Sequence, residues 1–156
     1  MELKTTLDPQ QFLDEYWQKK PVLIRGFIAD FQDPLSAEEL AGLACEAELE
    51  SRLVCNPGEG LYALEHGPVP ESRFDELGDA NWTLLVQAVD QWVAEVAQLR
   101  RHFAFLPNWR IEDVMVSFAA PGGSVGPHFD QYDVFLLQGS GSRHWQVGPF
   151  CDASTP

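Results

Sequence analysis

The chain changes character at Arg110, and that change dictates the fold class. Before it, apolar residues recur mainly at helical spacing; after it, short β-branched and aromatic runs stand between glycine-rich turns. Side chains repeat about every 3.6 residues in a helix and every two in a strand, so one pattern cannot serve as the other. The runs Val114 to Phe118, Val134 to Leu137 and Trp145 to Val147 therefore read as strands. The predicted class is α+β, mainly β with N-terminal helices. Two regions are expected: residues 1–110, helical with a hairpin, and residues 111–156, the opening strands of a sheet.

Within the first region the punctuation is specific. Asp8-Pro9 offers an N-cap followed by proline at the first helical position. Phe12, Leu13, Tyr16 and Trp17 then form one apolar stripe, and Pro21 ends it. Val22-Leu23-Ile24 reads as a buried strand. Ser36 followed three residues later by Glu39 is a capping box; Leu40, Leu43, Ala44 and Ala47 are predicted on the apolar face. Arg52 to Cys55 and Leu61 to Leu64 flank Asn56-Pro57-Gly58-Glu59-Gly60, a hairpin signal. Trp82 to Val89 fits strand or helix. Gln91 to Phe103 is predicted helical, with Val93, Val96, Ala97 and Leu99 on or near one side, and Pro107 closes it.

At 156 residues and 45% apolar content the chain can bury a core, and five Trp and ten Phe demand one. Ten basic against 24 acidic residues leave a net charge of -14, which excludes a general affinity for nucleic acid or for anionic membrane surfaces and suits a basic partner. Three cysteines, Cys45, Cys55 and Cys151, contain no CxxC pair, so free thiols in a reducing cytoplasm are expected rather than a structural zinc site. The polar start carries no apolar leader, and no apolar run approaches the roughly 20 residues that span a bilayer.

The segment that carries chemistry is Pro121-Gly122-Gly123-Ser124-Val125-Gly126-Pro127-His128-Phe129-Asp130. On a strand, His128 and Asp130 point to one face and can converge on a cation, with Phe129 turned away. Imidazole plus carboxylate is two-thirds of the 2-His-1-carboxylate triad of non-heme Fe(II) oxygenases, whose three open positions serve 2-oxoglutarate and oxygen. The competing reading is a glycine turn ahead of a strand with an ordinary polar histidine. Arg143, after the turn Gly139-Ser140-Gly141-Ser142, is able to grip a carboxylate through two parallel hydrogen bonds; without context it is a surface arginine. His66, His102 and His144 are read as surface or core histidines.

The run VMVSFAAPGGSVGPHFDQYDVFLLQGSGSRHWQVG resembles the JmjC-type bacterial ribosomal oxygenases (the YcfD or RoxA group), arginine hydroxylases acting on a large-subunit ribosomal protein. The resemblance continues upstream through Trp17 to Pro21, Glu39 to Ala44, Ser51 to Val54 and Asn81 to Val89. It implies a double-stranded β-helix (jelly-roll, cupin-like) core, incomplete at residue 156. It further implies His128 and Asp130 as Fe(II) ligands, Arg143 on the 2-oxoglutarate carboxylate, and a third histidine ligand on a later strand absent from this chain. The substrate it implies is a basic ribosomal protein, which Asp133, Glu112 and Asp113 are placed in sequence to attract.

Two further readings compete with the hydroxylase. One is a non-catalytic interaction fragment with a cupin-like fold; the other is a cupin-like metal enzyme that does not use 2-oxoglutarate. A jelly roll cut after its early strands leaves open edges, so the piece is expected to be poorly stable, to form a homodimer, or to belong to a longer chain.

Overall fold

The computed structural model describes residues 2–4, 8–58 and 60–148. Contacts divide the chain into two compact units, one formed by Met1–Asp33 with Phe129–Pro156 and the other by Pro34–His128.

In the smaller unit, β1 (Glu2–Lys4) pairs in parallel with β2 (Val22–Ile24), and α1 (Pro9–Glu15) lies between them in sequence. The start of α1 follows the sequence reading: the Asp8 side chain accepts from the Gln11 backbone N–H at 2.7 Å, and Pro9 occupies the first turn, where its missing N–H costs nothing. Phe12 and Tyr16 are buried. The Phe135 ring stacks on Trp17 at 5.9 Å and lies tilted against Phe12 at 5.7 Å, so the apolar stripe of α1 packs the segment that carries Phe135. β2 is half-buried rather than buried as expected.

Two predicted strands, and the His128 to Asp130 stretch expected to lie on a strand, are corrected. His128 to Asp130, Val134 to Leu137 and Trp145 to Val147 are irregular backbone. β-branched and aromatic runs make a strand only beside a partner that satisfies their backbone groups, and no described segment lies in register with these. Cys151 lies outside the described residues.

The larger unit is a four-stranded antiparallel sheet with short helices. Along the chain come α2 (Ala37–Ala44), β3 (Ser51–Gly58), β4 (Leu61–His66), α3 (Glu71–Asp75), β5 (Trp82–Val86), α4 (Ala94–Leu99) and β6 (Val116–Ala119). The strand order is β4-β3-β5-β6. The capping box of α2 is complete: Glu39 N–H donates to Ser36 Oγ at 3.2 Å, and Ser36 N–H to Glu39 Oε2 at 2.7 Å. α2 ends at Ala44, so Ala47, predicted on its apolar face, is instead exposed beyond it. Trp82 to Val89 resolves as a strand to Val86, after which Ala88 takes left-handed backbone (φ 53°).

The predicted helix over Gln91 to Phe103 is broken into a 3-10 turn at Val89–Gln91, α4, and a second 3-10 turn at Arg100–Phe103. Val93 is extended (φ -119°, ψ 113°) and interrupts the ladder, as a β-branched residue beside a tryptophan favours. Leu53 and Leu84 are register partners across β3 and β5, exposed by 0% and 1%. With Leu40, Ala44, Val86 and Val96 they centre the core between the sheet and the helices. The edge strand β4 keeps Leu61, Tyr62 and Leu64 exposed. No helix among the described residues is long and apolar enough to cross a membrane.

Candidate metal and cofactor site

The loop before His128 is built by three strands of the larger unit. Ala120 N–H donates to Trp82 carbonyl at 3.1 Å, Asn81 N–H to Pro121 carbonyl at 2.9 Å, and Asn56 N–H to Asn81 carbonyl at 2.8 Å. The ends of β3, β5 and β6 are thereby tied at one point. Gly123 sits where no side chain fits: a Cβ there would collide with the Trp82 carbonyl oxygen and lie 2.9 Å from that of Ala120. Gly126 is left-handed (φ 79°) and faces the Tyr62 ring. Both glycines answer a close approach that any other residue would block.

Asn56 grips this loop with both ends of its side-chain amide. Its Nδ2 donates to the Gly122 carbonyl at 2.8 Å, and its Oδ1 accepts from Ser124 N–H at 3.1 Å. Ser124 Oγ in turn accepts from Gly126 N–H at 3.1 Å. The loop ends on His128, whose Nδ1 lies 2.9 Å from the Gly126 carbonyl oxygen. A carbonyl only accepts, so Nδ1 carries the proton in the neutral ring and Nε2 carries the lone pair. That is the arrangement of a metal-ligating histidine, whose other ring nitrogen donates to a backbone carbonyl or carboxylate. His128 is exposed.

Asp130 and Arg143 belong to the smaller unit; Asp130 is exposed and Arg143 half-buried, both on irregular backbone. The turn ahead of Arg143 is anchored by Asp33, whose two carboxylate oxygens accept from Ser140 N–H at 3.2 and 3.1 Å. A Cβ at Gly139 would collide with the same carboxylate. Among the described residues no cluster of three His, Cys, Asp or Glu side chains is placed to hold a metal ion. His66, His102 and His144 are exposed. Asp113 accepts from Gln87 Nε2 at 2.8 Å, and Asp133 from Gln18 Nε2 at 3.0 Å.

Sequence reasoning missed Asn56 and Asp33. Asn56 was legible only as a turn residue, although asparagine is favoured in turns because its amide bonds backbone groups. Asp33 meets a turn 107 residues away, a pairing that no local pattern announces. The thiols of Cys45 and Cys55 are free. Burial pushes the Cys45 thiol up, with Glu71 and Glu46 adding to it, which is the opposite of an activated nucleophile.

Residues 98–156 match the family model described as JmjC domain. The chain is 51% identical over 148 residues to the ribosomal protein uL16 3-hydroxylase of Escherichia coli K12, covering 95% of this chain and 39% of that protein. It is 42% identical over 149 residues to a "Probable ribosomal oxygenase" of Haemophilus influenzae, covering 96% and 37%. The structure of YcfD, a ribosomal oxygenase from Escherichia coli, in complex with cobalt and 2-oxoglutarate aligns with a TM-score of 0.76 at 50% identity, over 83% of this chain and 35% of that one. The chain thus spans about two fifths of the length of the curated relatives it matches. An antiparallel sheet with a few short helices, aligned on YcfD at TM-score 0.77, and a JmjC match over residues 98–156 together make this chain similar in sequence and fold to part of the JmjC-type ribosomal oxygenases.

Proposed function

We propose that this chain supplies two of the three iron ligands and the 2-oxoglutarate clamp of an Fe(II)- and 2-oxoglutarate-dependent protein hydroxylase. Its substrate is an arginine of a basic large-subunit ribosomal protein. The observation that carries the reading is 51% identity to a uL16 3-hydroxylase across 95% of the chain. His128 would bind iron through Nε2, the nitrogen left with a lone pair by the bond from Nδ1 to Gly126. Asp130, two residues on and within about 7 Å by backbone length alone, would add an anionic oxygen. Arg143 would hold the distal carboxylate of 2-oxoglutarate through its planar fork. When bound, the iron and 2-oxoglutarate supply the oxidising chemistry that hydroxylates an unactivated carbon.

What the chain's own residues do is narrower. The Asn56-held loop fixes the tautomer and direction of His128, and the Asp33-held turn sets the backbone that delivers Arg143. The net charge of -14 steers a basic substrate toward the protein. On this reading residues 1–110 are the N-terminal helical and hairpin part of the domain and 111–156 open the jelly roll. The compartment is the cytoplasm, and a homodimer is the assembly to look for.

Succinate release tests the reading. The purified chain is supplied with Fe(II), 2-oxoglutarate, oxygen and an arginine peptide, beside His128→Ala and Arg143→Ala. Release that both substitutions abolish supports it. No release from the unsubstituted chain favours the interaction-fragment reading for these 156 residues.

A further inference from the structure

We propose that Asn56 is the positioning residue for His128, acting through the glycine loop rather than by touching metal or substrate. This rests on the reading of His128 as an iron ligand. Three observations converge. The Asn56 amide holds both flanks of Gly123, donating to the Gly122 carbonyl and accepting from Ser124 N–H. Ser124 then uses its hydroxyl to fix Gly126 N–H. The carbonyl of that same Gly126 accepts from His128 Nδ1. A side chain near the end of β3 is thereby joined to the imidazole through three hydrogen bonds in series, each within one unit of the fold.

The physical consequence is control of a tautomer. The bond to Gly126 favours the Nδ1–H form, and a loop that turns this carbonyl away withdraws that preference. Substitutions that act through such an outer layer of hydrogen bonds typically weaken metal binding about 10- to 100-fold. The Tyr62 ring of β4 stands 3.0 Å from where a Gly126 Cβ would lie, so the loop has a neighbour on that side as well.

The test compares the chain with Asn56→Ala and Asn56→Asp. The aspartate keeps the acceptor for Ser124 N–H but loses the donor to the Gly122 carbonyl, so its effect lies between the other two. Nitrogen-15 shifts of the neutral His128 ring report the tautomer. Mn(II) titration, followed by line broadening at His128, reports ligation. The expected result is a well-defined Nδ1–H tautomer in the unsubstituted chain and a mixture in Asn56→Ala. Mn(II) affinity should fall about 10-fold or more in Asn56→Ala and less in Asn56→Asp.

Arg73→Gln separates positioning from general loosening. It breaks contacts to Glu65 and Glu76 elsewhere in the same unit and should leave the His128 tautomer unchanged. An unchanged tautomer in Asn56→Ala, or an equal change in Arg73→Gln, overturns the proposal. If Asn56→Ala does not fold, Asn56→Asp decides on the same criterion. Absence of Mn(II) broadening in the unsubstituted chain would count against the iron reading, while the tautomer comparison still decides the role of Asn56.

Discussion

The carboxylate of Asp90 and the guanidinium of Arg100 meet at 2.6 Å, with the Asp90 side chain only 4% exposed and that of Arg100 28% exposed. The pair does more than neutralise itself. Asp90 Oδ1 accepts from Val114 N–H at 2.9 Å, and Arg100 donates to the Ile111 carbonyl at 2.9 Å. Two charges from either side of α4 thus hold the segment that leads into β6. Removing Asp90 leaves a guanidinium that is 28% exposed without its carboxylate, and Val114 N–H without its acceptor, so the loss lies toward the lower end of the about 3–5 kcal/mol typical of a fully buried pair. Asp90→Ala should therefore lower the urea midpoint substantially; a change under about 1 kcal/mol would mean that solvent replaces the carboxylate.

The α2 cap makes a smaller prediction. Ser36→Ala removes the acceptor for Glu39 N–H and should destabilise by about 1 kcal/mol. Glu39→Gln keeps an acceptor for Ser36 N–H and should cost less. Urea unfolding monitored by tryptophan fluorescence gives both values on one scale.

Glu65 ties stability to pH. Its hydrogen bond to Arg73 holds the carboxyl below its ordinary 4.5, against a smaller opposing effect of burial. A depressed folded value means the contribution is complete above the unfolded value and is lost as pH falls through the folded one. Stability from this pair should therefore be present above about pH 4.5 and decline in more acidic solution. Because the Glu65 side chain is 41% exposed, the effect is small. Glu65→Gln should flatten this part of the stability-against-pH curve, and an unaltered slope would assign the acid response to other carboxylates.

Gly123→Ala tests the strand junction directly. The added methyl meets two backbone carbonyl oxygens, of Trp82 and Ala120, neither of which is a flexible side-chain end. Overpacking of this kind costs about 1–3 kcal/mol. Gly42→Ala, with open space around its Cβ and a helical position, should instead be neutral or stabilising. Paired thermal melts of the two variants check the contrast, and equal melting temperatures would refute the crowding at Gly123.

Where structure follows local chemistry, it was legible in advance. Asp8-Pro9 and Ser36 with Glu39 name the starts of α1 and α2, because the groups that cap a helix lie within four residues of one another. The hairpin of β3 and β4 is likewise announced by its turn residues. Two runs with strand composition, Val134 to Leu137 and Trp145 to Val147, are irregular here, as is the His128 to Asp130 stretch expected on a strand, because strand formation belongs to a pair of segments and not to one. Residue type and spacing made His128, Asp130 and Arg143 candidates, and the family resemblance gave them the roles proposed above.

By itself the amino-acid order determined the starts of α1 and α2, the hairpin of β3 and β4, and the glycine segment that ends on His128. Only the tertiary structure decided that Asn56 holds that segment, that Asp33 anchors the turn before Arg143, and that the Gly126 carbonyl selects the Nδ1–H form of the imidazole. The physical reason is range. Caps and turns close within a few residues, whereas the bonds of Asn56 and Asp33 join groups 66 and 107 residues apart.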